Sequence, residues 1–510
     1  MNCFDATTKH SMRTLTSVFT FLLLASAAFA QAPITNYEYK FKVSGLPDSI
    51  DSAVYVANYF GGKQYYYDTL TIDKNGSFTM TGDSIPGGIY SIIMWDRKSY
   101  FEFVVNEPKI EMETEFNDYI NKMKVKTSAE NTNFYEYLRY VNEKSELANS
   151  LKNRVKTAEG KEKDKAQEEL MGIDKDVIAY KKQFMADHPD LFISKVFQAS
   201  AEPEVPEYKE IKNEQERNKR RYLEFKAQYL EGVDLTDDRL LRTPVLHNKL
   251  NYYITKLTPQ VPDSIIAAAD MLVGMASGNK EVSKYIIHTI TSKYEDSKIM
   301  GMDAVLIHMG ETYYCPDKAW WLSDEKLEKF CERVGAMSPL MIGKPAPNLI
   351  LLDTTGNWKN LYATDANYTV LYFWDSGCGH CKKVTPKLKD FYDEYKAKGV
   401  EVYAVGTEFE NDDWKKYIHK NGLNWINVSD TPEANENAYE LIQGGKTTLE
   451  SLNFRDTYDI FSTPKVFLLD KDKKIVATKL SPEQIGDFID DQLAQAGPTK
   501  DKKTSKKSEK

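Results

Sequence analysis

Two cysteines three residues apart, Cys378 and Cys381, stand in the run Phe373-Trp374-Asp375-Ser376-Gly377-Cys378-Gly379-His380-Cys381-Lys382-Lys383. An apolar, strand-like stretch from Tyr368 to Trp374 leads into them, and a helix-like stretch from Lys382 to Lys398 leaves them. A thiol in the first turn of a helix faces unpaired backbone N–H groups and the positive end of the helix dipole. Both favour the thiolate, which is the nucleophile in disulfide exchange. A second cysteine one turn along is close enough to close a disulfide or to resolve a mixed one. Cys378 is therefore the candidate nucleophile and Cys381 the candidate resolving thiol. His380, when protonated, stabilises the Cys378 thiolate and with it the reduced form, which makes the disulfide a better oxidant. The plainer alternative for His380 is a solvent-facing residue without consequence.

The rest of the chain must carry this pair to the right place. At 510 residues it is too long for one core, and several domains are expected. Residues 1–30 have the pattern of a cleaved export signal: Lys9 and Arg13, then an apolar run from Val18 to Ala28, then Ala28-Phe29-Ala30 before Gln31. That run is short for a membrane span, so a chain that is not membrane-spanning after cleavage is expected, in the periplasm or cell envelope. Removing this segment, net +1 from Lys9 and Arg13 against Asp5, takes the formal charge from −9 to −10. Residues 497–510 carry six lysines against Asp501 and Glu509, net +4, which leaves the body near −14. An acidic body argues against nucleic acid as a partner, and the lysine tail is expected to be disordered. After cleavage four cysteines remain, far fewer than a disulfide-stapled scaffold uses.

Three patterns follow one another. Residues 34–118 alternate in short strand-like runs, such as Tyr37 to Val43 and Tyr100 to Val105, separated by turn signals at Asp73-Lys74-Asn75-Gly76 and Ile85-Pro86-Gly87-Gly88. They predict a small antiparallel β domain, a sandwich, with Tyr59, Phe60, Tyr65, Tyr66 and Tyr67 as half-buried strand residues or a binding edge. Residues 128–336 turn helical, with Phe134, Tyr137, Leu138 and Val141 at i, i+3, i+4 and i+7 and a charged helix hairpin over Glu159 to Ala186. Here His308 and Cys315 are weighed as metal ligands and Cys315–Cys331 as a disulfide; two small buried hydrophobes are the alternative. Residues 341–496 alternate strands with helices and end on a capping box, Ser481-Pro482-Glu483-Gln484, which predicts an α/β fold with a mixed sheet. No cofactor or metal is expected.

Residues 341–496 resemble the thioredoxin-like domain of the TlpA/ResA branch of exported thiol–disulfide proteins, related to the redoxins of the AhpC/TSA group. The resemblance is carried by Gly343-Lys344-Pro345-Ala346-Pro347, by Phe373-Trp374 running into Cys378-Gly379-His380-Cys381, by Pro386, and by Thr463-Pro464 before a strand. It implies that Thr463 and Pro464 form a cis-proline loop that faces the disulfide and holds extended substrate. It also implies an oxidoreductase acting on protein thiols and disulfides, including apocytochromes, with a membrane or periplasmic redox partner. Three positions depart from the family. Tyr372 stands where many thioredoxins bury an acid, Val384 where ResA-type proteins have a glutamate, and Gly377 where tryptophan usually precedes the first cysteine. The acid–base aid for Cys381 is left open, with Asp375, Lys382 and Lys383 near in sequence. Two other functions compete: a thioredoxin-fold peroxidase, disfavoured because Asp375 replaces the peroxidase threonine, and a non-enzymatic envelope interaction protein.

Overall fold

The computed structural model describes residues 32–496, apart from 49–51, 316–318 and 409–410. The expected signal segment 1–30 and the lysine tail 497–510 lie outside the described residues. Eight strands come first: β1 (Ile34–Ser44), β2 (Ala53–Phe60), β3 (Lys63–Thr71), β4 (Ser77–Ile85), β5 (Gly88–Ile93), β6 (Tyr100–Val105), β7 (Lys109–Glu115) and β8 (Lys124–Thr127). They form two four-stranded sheets, ordered β4-β1-β7-β8 and β3-β2-β5-β6. Alternation along β1 buries Tyr37, Tyr39, Phe41 and Val43 between the sheets, as its two-residue period requires. One pairing departs from the antiparallel expectation: β1 lies parallel to β7. The connection between them passes through the other sheet and is long enough to bring the chain back in the same direction. Of the tyrosine run, Tyr65 and Tyr66 are exposed on the edge strand β3, while Tyr59, Phe60 and Tyr67 pack against the core.

Among the described residues nine α-helices follow: α1 (Ala129–Thr157), α2 (Gly160–Asp187), α3 (Phe192–Ser200), α4 (Glu214–Gln228), α5 (Pro244–Thr255), α6 (Pro262–Met275), α7 (Lys280–Glu295), α8 (Asp303–Met309) and α9 (Asp324–Met337). The hairpin expected within 159–186 is α1 against α2, so that stretch supplies one arm only. The strands and helices share one hydrophobic core that runs from Tyr37 to Ala319. Polar groups reinforce the seam. The buried Asn131 side chain on α1 accepts from Val104 N–H and donates to the Val104 carbonyl, both at 2.8 Å, and so stands in for a neighbouring strand on the edge of β6. Glu130 beside it accepts from the N–H groups of Phe192 and Ile193 at 3.0 and 2.8 Å, capping α3, which has no side-chain cap of its own.

The C-terminal part is a seven-stranded sheet with helices: β9 (Ile350–Asp353), β10 (Trp358–Asn360), β11 (Tyr368–Trp374), α10 (Cys381–Tyr395), β12 (Val400–Gly406), α11 (Asn411–Asn421), β13 (Ile426–Ser429), β14 (Lys465–Asp470), β15 (Ile475–Thr478) and α16 (Pro482–Ala496). The stretch from Thr431 to Arg455, loop-rich by its sequence, and the two residues after it hold four short helices among the described residues: α12 (Pro432–Glu436), α13 (Ala438–Gln443), α14 (Leu449–Leu452) and α15 (Phe454–Thr457). Strand order is β10-β9-β13-β12-β11-β14-β15, with β11 parallel to β12 and antiparallel to β14. Both faces of the sheet are covered, so β11 is apolar throughout. Val370, Tyr372 and Trp374 join one core with Cys381, Leu388 and Ile485; Leu371 and Phe373 join the other with Phe454, Tyr458 and Phe467. The capping box at Ser481 closes in both directions, with Ser481 N–H on Gln484 Oε1 at 2.9 Å and Gln484 N–H on Ser481 Oγ at 3.3 Å.

Replacing Asn131 by alanine leaves both the Val104 N–H and carbonyl unpaired in a buried setting. Each such group costs about 1–3 kcal/mol, so Asn131→Ala should destabilise the β/helical core by roughly 2–4 kcal/mol in urea unfolding. A loss within error of zero would show that water replaces the amide.

Candidate active site

The turn between β11 and α10 is set by backbone hydrogen bonds that the sheet cannot satisfy. Strand β11 ends at Trp374, whose carbonyl accepts from Thr407 N–H at 2.9 Å just past the end of β12. Asp375 then folds the chain back, its Oδ1 accepting from Gly377 and Cys378 N–H at 2.6 and 3.1 Å. The Cys378 carbonyl accepts the N–H of Lys382 at 3.1 Å, so helical bonding begins at Cys378. The Cys381 N–H has no carbonyl to reach in this first turn and points at Cys378 Sγ, 3.4 Å away. Cys378 thus occupies the place of a helix N-cap, with sulfur where serine or aspartate would put oxygen. Helix α10 begins at Cys381, not Lys382, and Pro386 lies inside it.

The two thiols have opposite environments. Cys378 is half-buried and Cys381 buried; both are free. Burial pushes the Cys378 thiol up, but the Cys381 N–H and the Thr463 side chain outweigh it and bring Cys378 below the ordinary thiol range. Burial pushes Cys381 up to about 12. From the far side of the cleft, the Thr463 carbonyl lies 3.4 Å from Cys378 Sγ, and the Thr463–Pro464 peptide bond is cis. The fold therefore brings Cys378, Cys381, Thr463 and Pro464 together. His380 is exposed in the turn, and its backbone carbonyl accepts from Lys383 and Val384 N–H.

Positions that depart from the family have structural occupants. Tyr372 is fully buried, and its hydroxyl is 2.9 Å from Thr385 Oγ1, a neutral pair where an acid would sit. Burial raises the Tyr372 hydroxyl above the ordinary tyrosine range. Glu408, which the sequence did not single out, accepts the Ser376 N–H two residues before Cys378. Its Oε2 is buried with no hydrogen-bond partner among the described residues, and burial raises the carboxyl above the ordinary range. Its signal was an acid just past the end of the strand beside β11, where ligand sites of α/β sheets collect. The metal pairing weighed for His308 and Cys315 is overturned. Cys315 is bonded to Cys331, with Cα atoms 5.5 Å apart, and His308 Nε2 is 2.7 Å from Asp270 Oδ1. Among the described residues no cluster of three metal-ligating side chains exists.

Comparison with known proteins accords with this geometry. Residues 342–478 match the AhpC/TSA family, and residues 40–134 match a domain of unknown function, DUF4369. Thiol-disulfide oxidoreductase ResA of Bacillus thuringiensis strain Al Hakam is 28% identical over 159 residues, covering 31% of this chain and 80% of that protein. Residues 342–478 form a TlpA/ResA-like thiol–disulfide oxidoreductase domain. ResA of Bacillus subtilis strain 168 is 28% identical over 134 residues, 26% of this chain and 64% of that protein. Among solved structures, a domain described as a possible thiol-disulfide isomerase from Cytophaga hutchinsonii is 39% identical, covering 31% of this chain and 97% of that one, with a TM-score of 0.26. A thioredoxin-like protein from Bacteroides caccae is 19% identical, covering 57% of this chain and 97% of that one, with a TM-score of 0.43.

The unequal thiols of this TlpA/ResA-like site give a pH signature. Alkylation of the reduced protein with iodoacetamide should rise with pH through a midpoint below that of a free thiol and then level off, with Cys378 labelled and Cys381 untouched at neutral pH. The sign follows from the lowered folded value: Cys378 becomes thiolate at lower pH in the folded chain than in the unfolded one. Peptide mapping that finds Cys381 labelled first would contradict the assignment.

Proposed function

We propose that this thiol–disulfide oxidoreductase works in the cell envelope, exported by residues 1–30, and exchanges disulfides with protein substrates through its Cys-Gly-His-Cys turn. The observation that carries the reading is the position of Cys378 Sγ between the Cys381 N–H and the Thr463 carbonyl. In the reducing direction, the Cys378 thiolate attacks one sulfur of a substrate disulfide. A mixed disulfide forms and the other substrate sulfur leaves as thiolate. Cys381 then loses its proton and attacks Cys378 sulfur, which releases the second substrate thiol and leaves the Cys378–Cys381 disulfide. The oxidising direction is the reverse. The high affinity of Cys381 for its proton delays the second step until the mixed disulfide has formed. Thr463 and Pro464 would line the extended substrate, and His380 would stabilise the thiolate. The names of the ResA relatives support this activity. From the family resemblance alone we also propose a membrane or periplasmic redox partner and apocytochromes among the substrates. Among the described residues no helix is long and apolar enough to cross a membrane.

The test is a Cys381→Ala trap in cells that export the chain, with mixed disulfides identified by mass spectrometry. Partners bonded through Cys378 are expected; a trap that captures nothing, with no exchange by the parent protein, would overturn the reading. The role given to His380 predicts that His380→Pro makes the pair more reducing, by tens of millivolts or roughly a tenfold change in equilibrium constant per 30 mV. An unchanged potential would leave His380 a bystander.

A further inference from the structure

The loop that faces Cys378 is clasped at its base. It runs from Asp459 to Lys465, and Lys465 follows directly on Pro464. Lys465 Nζ donates to the carbonyls of Tyr458 and Asp459 at 2.8 and 2.6 Å and lies 3.3 Å from Asp459 Oδ2. Asp459 adopts a left-handed backbone, φ 50°, which aspartate tolerates better than most residues with a Cβ. Burial lowers Lys465 below the ordinary lysine range while Asp459 opposes that shift, so the ammonium depends on this carboxylate.

The remaining oxygen of Asp459 is taken from outside the thioredoxin-like fold. Arg333, on α9 of the helical part, places Nε 3.3 Å from Asp459 Oδ1 and Nη1 2.5 Å from Glu295 at the end of α7. Its guanidinium carbon is 5.0 Å from the ring centre of Phe461, which is otherwise 77% exposed within the same loop. Two residues before Arg333, the Cys331–Cys315 disulfide ties α9 to the end of the turn that follows α8. Two anchored helices thus deliver one cation to the base of the cis-proline loop. From these contacts we infer that Arg333 is a positioning residue for the Thr463–Pro464 loop, so that the helical part sets how Cys378 meets its substrate. The inference rests on the Cys378 reading above and gives the helical part a share in it.

The path is short. Arg333 and Lys465 fix Asp459; the clasp fixes the loop ends; Thr463 at the loop's tip meets Cys378. Without Arg333 the clasp keeps one cation instead of two, and Phe461 loses the group that covers one face. The loop then samples positions in which the Thr463 carbonyl no longer meets Cys378 Sγ.

Full-length Arg333→Ala and Arg333→Lys test this. For Arg333→Ala, the midpoint of Cys378 alkylation against pH should shift, and KM for reduction of insulin should rise roughly threefold, the scale of one half-buried ion pair. Arg333→Lys, which keeps a cation at Asp459, should recover part of both. An unchanged midpoint and KM in Arg333→Ala, with only the unfolding temperature lowered, would make Arg333 a structural contact and overturn the inference. If the parent protein does not reduce insulin, the reducing direction of the proposed function fails, while the alkylation midpoint still decides the role of Arg333.

Discussion

The active turn depends on one hydrogen bond, from the Cys381 backbone N–H to Cys378 Sγ. It exists because a strand buried on both faces ends where a helix begins, leaving an N–H with no carbonyl in reach. Asp375 holds the turn by taking two of the preceding N–H groups, and Glu408 takes a third from Ser376. With these donors engaged, the Cys381 N–H is directed at sulfur. The same fold that exposes one side of Cys378 buries Cys381 with Tyr372 and Trp374, and this gives two chemically identical thiols opposite environments.

The buried neutral pair of Tyr372 and Thr385 removes a carboxylate from beside Cys381. Glu408 restores one acid to the turn, yet on the side of Ser376 rather than beneath the helix. The remote parts of the chain also reach the site. The β sandwich and the helices share one core, and α9 touches the loop opposite the cysteines through Arg333. The four short helices between β13 and β14 include Arg455, which pairs with Asp430 and donates to the Thr407 carbonyl at 2.9 Å next to the end of β11.

Much of the site was legible because its signals are local. The apolar run into Cys378, the cysteine spacing and the Ser481 capping box each act over a few residues, and Thr463-Pro464 was read from a family pattern. The helical period of α1 was legible for the same reason. What escaped depends on contacts distant in sequence. The parallel partnership of β1 and β7 follows from a chain that leaves one sheet and returns. The helices of residues 431–457 are only four to six residues long, too short to show a period. Glu408 and Arg333 are ordinary surface residue types until the fold sets them against Ser376 and Asp459. The pairing of Cys315 with Cys331, weighed from the sequence beside other readings, was decided only by the turn after α8 meeting α9.

Central to the proposed function is that one thiol attacks and its neighbour resolves. Equilibrating the full-length protein in glutathione buffers, with acid quenching and mass mapping of every cysteine, tests it most directly. The account predicts glutathione on Cys378, interconversion of the Cys378–Cys381 dithiol and disulfide as a two-electron couple, and an unchanged Cys315–Cys331 bond. Glutathione found chiefly on Cys381, or a Cys378–Cys381 disulfide that never forms across the buffer range, would contradict it.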